Sequence, residues 1–333
     1  MLDPIGGYEK IRDLLISQIE TTQRISNPSL QALRKSLLAD TNTLTNSPIL
    51  EPVPRYQTSN YKLEDLLALE EENPLHDFSE AERSIFINLV LSGLFDGAPD
   101  NSNLTLSRKS LYKPYLHQMQ MLAKGVKSGQ PGVVTSGTGS GKTESFMFPI
   151  LNHCYKTKDT KGIKAIIIYP MNALATDQAK RFAKTISKTP NLNGVRVGLY
   201  IGSSDDNAQK SMSEEYVITD KQTLCDNPPD ILLTNYKMLD FMLMRPRDQK
   251  IWKHNIDTDV LKFIAVDEIH TFDGAQGTDL ASLLRRVRAK LKVKKSSIAC
   301  IGTSATLGGD TTEPIRNFAS DISYFFRFSH IPI

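Results

Sequence analysis

The chain has few cysteines and lacks any long apolar run. Cys154, Cys225 and Cys300 are its 3 cysteines, and they stand far apart without the spacing of metal ligands. This pattern excludes a disulfide framework and indicates buried thiols in a reducing compartment. No apolar run reaches the roughly eighteen residues that a membrane-spanning helix needs. The N-terminus also lacks the basic and apolar parts of a signal peptide, so we expect a cytoplasmic protein with no membrane partner.

A strong overall charge is also missing, but the charge is unevenly distributed. The net charge is +3, yet residues 1–105 hold 8 Lys and Arg against 16 Asp and Glu, a balance of −8. Residues 106–333 hold 32 Lys and Arg against 21 Asp and Glu, a balance of +11. A basic region of this kind suits contact with a polyanion such as nucleic acid. Ordinary solvated surface charge would explain the same counts, so composition leaves both interpretations open.

A glycine-rich stretch at residues 136–144 reads Ser-Gly-Thr-Gly-Ser-Gly-Lys-Thr-Glu. It follows a β-type run at 132–135 and precedes a helical segment, which is the layout of a phosphate-binding loop. The predicted phosphate ligands are Ser136, Gly137, Thr138, Gly139, Ser140, Gly141, Lys142 and Thr143. Lys142 would meet the β- and γ-phosphates, and Thr143 would bind Mg²⁺. The strict pattern has glycine at position 136, so a glycine-rich turn with an incidental lysine is the alternative.

The remaining pattern predicts an α/β fold with a mostly parallel sheet, preceded by a small helical region. Apolar segments alternate with helical ones from about residue 106, which indicates a sheet covered on both faces. The predicted strands are 132–135, 164–169, 195–200, 230–234, 261–266 and 297–301. Helices are predicted at 8–25, 30–38 and 62–72, and from a capping box at Ser79 through Phe95. We therefore expect a helical accessory region at 1–105 and a nucleotide-binding domain at 106–333.

Two acidic residues follow one of the predicted strands directly. Asp267 and Glu268 come after the apolar run 261–266, where a carboxylate can hold Mg²⁺ and another can activate water. The alternative interpretation is an ordinary acidic turn after a strand. The phosphate loop upstream makes a metal and water site the better explanation. Ser304 and Thr306 flank an alanine after the run 297–301. That triplet is a weak signal by itself, and only its position after Asp267–His270 gives it weight.

Taken in order, these motifs resemble the superfamily 2 helicases of the DEAD/DEAH-box type. The matching segments are 136–143, 169–178 (Tyr-Pro-Met-Asn-Ala-Leu-Ala-Thr-Asp-Gln), 234–239, 267–270 (Asp-Glu-Ile-His) and 304–306. The resemblance implies a RecA-like domain that binds ATP and Mg²⁺, with Gln118 reading adenine. It implies that Thr143 and Asp267 hold the metal, that Lys142, Asp267, Glu268 and His270 serve catalysis, and that His270, Ser304 and Thr306 couple nucleotide state to strand binding. It further implies that Pro170, Asn172, Thr234 and Asn235 contact a nucleic-acid strand, which we expect to be DNA.

The amino-acid sequences of two segments are similar to those of large bacterial helicases associated with DNA repair and anti-phage defence. These segments are 169–178 and 267–291, and the similarity extends from residue 8 to about 320. Helicases of this superfamily use two RecA-like domains, and the sequence offers motifs of the first one only. We therefore expect slow ATP hydrolysis by these 333 residues and a separate chain that could supply the second domain. A nucleotide-regulated interaction module, or a remnant of a truncated gene, is the alternative.

Overall fold

A computed structural model describes residues 3–40, 42–46, 56–71, 73–92, 95, 97–99, 106–128, 132–137, 139–202, 208–272, 274–294, 297–305 and 329–331. By packing, the chain divides into two compact units, Met1–Arg55 and Tyr56–Ile333. The first unit contains helices α1 (Pro4–Thr22) and α2 (Pro28–Ala39). Each begins with a proline preceded by a capping side chain, Asp3 for α1 and Asn27 for α2, which accepts backbone N–H groups of the first turn.

The second unit is built on a seven-stranded sheet in which every pairing is parallel. Its strands are β3 (Gly132–Thr135), β4 (Ala165–Tyr169), β5 (Val197–Tyr200), β6 (Ile231–Asn235), β7 (Phe263–Val266), β8 (Ala299–Ser304) and β9 (Ser329–Ile331). They lie in the order β5-β6-β4-β7-β8-β3-β9. Strand β8 therefore separates β3 from β7, and the carboxyl ends of these three strands lie side by side. Two short strands, β1 (Gly97–Pro99) and β2 (Arg108–Ser110), form a separate antiparallel pair.

Helices cover both faces of the sheet. The helices of this unit are α3 (Glu80–Leu91), α4 (Leu116–Ser128), α5 (Lys142–Lys156), α6 (Asn172–Lys188), α7 (Lys221–Asp226), α8 (Tyr236–Met244) and α9 (Gly274–Leu291). Side chains of a strand point alternately to the two faces. Ile167 of β4 accordingly joins a core with Phe146 of α5, whereas Ile166 joins the opposite core with Leu280 of α9. The predicted α/β fold with a parallel sheet is confirmed.

Each predicted strand overlaps an observed one, but β6 ends one residue and β8 ends three residues beyond the predicted limit. Several helix limits also differ. The capping box at Ser79 is present, but its helix ends at Leu91 and not at Phe95. The helix predicted at 62–72 is a single 3-10 turn, Glu64–Leu67. Its length was wrong because the Asn73 amide donates to the carbonyls of Leu66 and Leu69 at 2.8 and 2.7 Å, taking the place of further helical bonds.

Helix α3, which lies in the region predicted to be an accessory one, packs in the core on one face of the sheet. Phe86 of α3 shares a core with Phe146 of α5, so this part of the helical region belongs to the same compact unit as the sheet. Packing divides the chain after Arg55, and a domain boundary at 105/106 stays a prediction. Within the described ranges, no helix has both the length and the apolar character required to cross a bilayer. The three cysteines are unpaired and buried, as expected.

Candidate nucleotide and nucleic-acid site

The glycine-rich loop joins β3 to α5 and is tied to the end of β8. The Ser136 N–H donates to the Ser304 carbonyl at 3.1 Å, which continues the β3–β8 ladder into the loop. The hydroxyls of Ser136 and Ser140 hydrogen-bond to each other, and both side chains are fully buried. Ser136, which departs from the strict phosphate-loop pattern, therefore links the two ends of the loop through its side chain.

Three glycines of the loop are needed for different reasons. Gly139 and Gly141 have φ angles of 77° and 76°, a left-handed conformation that glycine adopts without strain. At Gly141 a Cβ would also lie 2.1 Å from Nε2 of Gln118. At Gly137 only proximity matters, because a Cβ there would lie 2.2 Å from the Tyr56 hydroxyl and would displace that side chain. The sequence did not indicate Tyr56, which precedes every recognised motif.

Lys142 is the first residue of α5 and is 7% exposed. Its Nζ lies 3.2 Å from Oε1 of Glu268, yet it has no hydrogen-bond partner in the described part of the chain. Thr143 follows it and is half-buried. The N-terminus of a helix carries partial positive charge, and a buried ammonium with donors to spare adds to it. This end of α5 is therefore suited to an anion.

Asp267 and Glu268 follow β7 and meet β8. Thr303 of β8 accepts a hydrogen bond from the Glu268 N–H at 3.1 Å and donates one to Oδ1 of Asp267. Burial raises the pKa of Asp267, and the hydrogen bond from Thr303 partly opposes that effect. Glu268 has a left-handed φ of 49°, which is uncommon outside glycine. Thr303 immediately precedes the Ser304–Thr306 triplet and was not among the site residues predicted from the sequence.

His270 lies against the end of β8. Its Nδ1 is 3.2 Å from the Ser304 hydroxyl and accepts a hydrogen bond from the Ala305 N–H at 3.3 Å. Since Nδ1 acts as an acceptor there, the 3.3 Å approach of Oε2 of Glu268 to the same atom is not a hydrogen bond. The structure thus brings together His270, Ser304 and Glu268. The role of His270 and Ser304 in coupling stays a prediction.

Gln118 lies in the first turn of α4 and faces the loop. Its Oε1 accepts from the Tyr115 N–H at 2.9 Å, and its Nε2 donates to the Gly141 carbonyl at 3.2 Å. The neighbouring His117 is buried, stacks on the Tyr115 ring at 5.6 Å and has a pKa lowered by burial. Recognition of adenine by Gln118 stays a prediction, and it requires the amide to exchange these protein partners for the base.

A groove of about 470 Å³ at the ends of β4 and β6 is bordered by three of the four predicted strand-contacting residues, Pro170, Asn172 and Asn235. Asn172 begins α6 and Asn235 caps α8, where its Oδ1 accepts from the Met238 N–H at 2.8 Å. The two asparagines are joined by a hydrogen bond of 2.6 Å from Nδ2 of Asn235 to Oδ1 of Asn172. The groove is also lined by Met171, Lys237 and Gln276, for which no role was predicted from the sequence.

Thr234 lies at the same strand end but is fully buried. Its hydroxyl donates to the Tyr200 carbonyl at 2.7 Å. A direct contact between Thr234 and a strand stays a prediction, and it would need this hydroxyl to be released. Two other predicted site residues, Thr138 and Thr306, lie outside the described residues.

The residues present fit a nucleotide with Mg²⁺. Magnesium is usually held by one or two protein oxygen ligands together with substrate phosphates. Thr143 and Asp267 are oxygen donors of that kind, and the described residues contain no group of three or more His, Cys, Asp or Glu that would form a protein-only metal site. The buried ammonium of Lys142, without a hydrogen-bond partner in the described segments, fits a phosphate.

A parallel sheet with a phosphate loop after β3, and with an Asp-Glu pair two strands away, defines a nucleotide-binding domain of the RecA-like class. A family model described as DEAD/DEAH box helicase matches residues 115–315. The chain belongs to this family of helicases, and the resemblance drawn from the sequence is confirmed.

The chain is also similar to individual proteins in sequence and in fold. The chain is 27% identical to the Druantia protein DruE of Escherichia coli (strain UMEA 4076-1), over 96% of the chain and 21% of that protein. Its fold resembles the DUF1998 helicase MrfA bound to DNA and AMPPNP, with a TM-score of 0.50, 20% identity, and coverage of 67% of the chain and 27% of MrfA. It also resembles the DEAD-box helicase Mss116 bound to ssRNA and UDP-BeF, with a TM-score of 0.56 and 18% identity. This match covers 82% of the chain and 45% of Mss116. The chain thus spans about a fifth of DruE and under half of either solved protein.

Proposed function

We propose that this chain is the ATP-binding half of an ATP-dependent nucleic-acid helicase or translocase. The observation that carries the proposal is the convergence of Lys142, Asp267 and Glu268 beyond the carboxyl ends of β3 and β7, the two strands on either side of β8. Lys142 is buried 3.2 Å from Glu268 and keeps unused hydrogen-bond donors within the described structure. Family membership supports the same activity.

In this function each residue has a distinct task. Backbone N–H groups of the glycine-rich loop and Lys142 bind the phosphates, and Gln118 contacts adenine. Thr143 and Asp267 would hold Mg²⁺, which when bound neutralises charge on the transferred phosphate. Glu268 orients the attacking water and accepts its proton. For that task Oε1 of Glu268 has to turn from Lys142 towards the water.

Strand binding is assigned to the groove between α6 and α8. Asn172 and Asn235 lie on its rim and Lys237 supplies positive charge, so contacts to phosphates would hold the strand with little sequence preference. The balance of +11 in residues 106–333 supports a polyanionic partner. We infer that the strand is DNA, because the sequence resembles bacterial helicases of DNA repair and anti-phage defence. We also place the protein in the cytoplasm, with its three buried thiols in support.

The experiment that tests this function is calorimetric titration of the 333-residue chain with Mg-ATP. The wild-type chain is expected to bind, and Lys142→Ala is expected to weaken binding by roughly 1.5–3 kcal/mol, the contribution of a charge-assisted hydrogen bond. Lys161→Ala is the matched control, since Lys161 is exposed at the start of the segment leading to β4, at the opposite end of the sheet.

Equal affinity of the wild-type chain and Lys142→Ala would contradict the assignment of the phosphate loop. Binding without strand-stimulated hydrolysis, even when a second RecA-like domain is added, would favour a nucleotide-regulated interaction module. Restored hydrolysis that Glu268→Gln abolishes would support the helicase.

A further inference from the structure

Thr303 lies on β8, between the strand that leads into the phosphate loop and the strand that leads into Asp267 and Glu268. The register of β7 and β8 pairs Val266 with Gly302, so Asp267 and Thr303 are the next positions along these parallel strands. Neighbouring positions in register project from the same face of a sheet. Thr303 is fully buried, and its hydroxyl is therefore confined to protein partners.

The Thr303 hydroxyl makes two hydrogen bonds of opposite sense. It donates its proton to Oδ1 of Asp267 and accepts the N–H of Glu268 at 3.1 Å. A hydroxyl has one proton and two lone pairs, so it can satisfy a carboxylate and an amide at the same time. Valine has nearly the same shape but can form neither bond. The side-chain volume at this position can thus be separated experimentally from its hydrogen bonding.

The bond to the Glu268 amide coincides with an unusual backbone conformation. Glu268 has φ 49°, and a non-glycine residue stays in this region only where its surroundings hold it. The Thr303 hydroxyl accepts the Glu268 N–H at 3.1 Å, and the Thr271 hydroxyl donates to the Glu268 carbonyl at 2.8 Å. This conformation directs the Glu268 carboxylate to Lys142, 3.2 Å away.

We propose that Thr303 is a positioning residue that orients both carboxylates of the nucleotide site through one hydroxyl. By occupying Oδ1 of Asp267 it leaves Oδ2 available to a metal ion, and by holding the Glu268 amide it fixes the backbone from which that side chain turns from Lys142 towards the water. The proposal rests on the proposed function, because it assigns Thr303 a task towards Mg²⁺ and the attacking water.

The test compares Thr303→Val with Thr303→Ser in the full 333-residue chain. Affinity for a fluorescent non-hydrolysable ATP analogue is measured in Mg²⁺ and in EDTA, and the ratio gives the gain due to the metal. Thr303→Val is expected to lower this gain by about 10–100-fold, the usual effect of removing a group that orients a metal ligand. Thr303→Ser keeps both hydrogen bonds and should retain the gain.

A second readout needs no nucleotide. Hydrogen exchange of the Glu268 amide, followed by NMR, should be at least about tenfold faster in Thr303→Val and unchanged in Thr303→Ser, since a lost hydrogen bond exposes the amide to local opening. Thr189→Val is the matched control. Thr189 is a buried threonine at the end of α6, and its hydroxyl donates to the Thr185 carbonyl at 2.8 Å. If Thr303→Val does not fold, Thr303→Cys replaces it with a side chain of similar size and weak donor strength.

The outcomes separate this inference from the proposed function. Retention of the metal-dependent gain by Thr303→Val, or its equal loss in Thr303→Ser, would overturn the positioning role while leaving ATP binding intact. Absence of any gain in the wild-type chain would remove the proposed function and this inference together. Loss in Thr303→Val with retention in Thr303→Ser and Thr189→Val supports the inference.

Discussion

Gly141 shows how closely single residues around the phosphate loop depend on one another. It caps the N-terminus of α5 with φ 76° and ψ 33°, and its carbonyl accepts a hydrogen bond from Gln118. A Cβ at this position would lie 2.1 Å from Nε2 of Gln118 and 3.2 Å from Oε2 of Glu144. The absence of a side chain therefore serves both the backbone conformation and the approach of α4 to the loop.

Gly141→Ala is expected to destabilise the fold and to weaken nucleotide binding. The left-handed conformation costs an L-residue about 1–2 kcal/mol, and the added methyl group also displaces Gln118. Gly194→Ala is the control for backbone strain alone, because Gly194 has φ 94° and open space around its Cα. Thermal unfolding should detect both changes, whereas calorimetry with Mg-ATP should detect only Gly141→Ala. Unchanged ATP affinity in Gly141→Ala would contradict the close contact between Gln118 and the loop.

At the scale of elements, helix α6 joins the two parts of the proposed site. Its first residue, Asn172, borders the strand groove, and Arg181 further along pairs with Glu144 in the first turn of α5. The same helix thus contacts both the groove and the helix that follows the phosphate loop. Ion pairs and packed helices of this kind are the physical means by which two sites influence each other.

Lys237 on α8 carries the prediction for the strand groove. It is exposed and lines the groove beside Asn235. Lys237→Ala should weaken binding of single-stranded DNA of different sequences by similar factors and lower the slope of log affinity against log salt by about one. Fluorescence anisotropy across a salt titration measures both quantities, with Lys161→Ala as the control. A salt slope equal to that of the wild-type chain would place the strand elsewhere.

At the scale of the whole molecule, the end of the sheet opposite the nucleotide site contains buried charge. Nζ of Lys164 lies 2.6 Å from Oδ1 of Asp230, and Oδ2 of Asp230 accepts the Arg196 N–H at 2.7 Å. His153 of α5 lies among lysines at this end, and its ring meets Phe263 edge to face at 5.6 Å. Burial, with Lys262, Lys164 and Lys156 adding to the effect, lowers the pKa of His153 from 6.5 to about 4.

This shift predicts a loss of stability in mild acid. Below pH 6.5 the unfolded chain protonates His153 while the folded chain keeps it neutral down to about pH 4, so the free energy of unfolding falls across that window. The contribution amounts to about 3 kcal/mol. His153→Gln should flatten the profile of stability against pH in chemical denaturation, whereas replacement of the exposed His76 by Gln should leave the profile steep. An unchanged slope in His153→Gln would mean that the imidazole is not buried as a neutral group.

The features that could be predicted from the amino-acid sequence are those that depend on residues close together along the chain. A strand, a glycine-rich turn and a lysine at a helix start define the phosphate loop, because spacing and side-chain size decide that backbone path. An apolar run ending in Asp267 and Glu268 likewise predicts a buried strand with acidic residues at its end. The parallel sheet followed from the alternation of such runs with helical segments.

Which of these segments lie beside one another became known only from the folded structure. The order β7-β8-β3 places Thr303 against Asp267 and Glu268, and it ties Ser136 to Ser304. No local pattern marks this order, because 127 residues lie between β3 and β7, 163 lie between β3 and β8, and 32 lie between β7 and β8. Sheet neighbours are set by how the helices pack over both faces. The approach of Tyr56 to Gly137 belongs to the same class of contacts. Hydrogen bonds between strands depend on register and strand order, and these exist only once the cores on both faces of the sheet have formed.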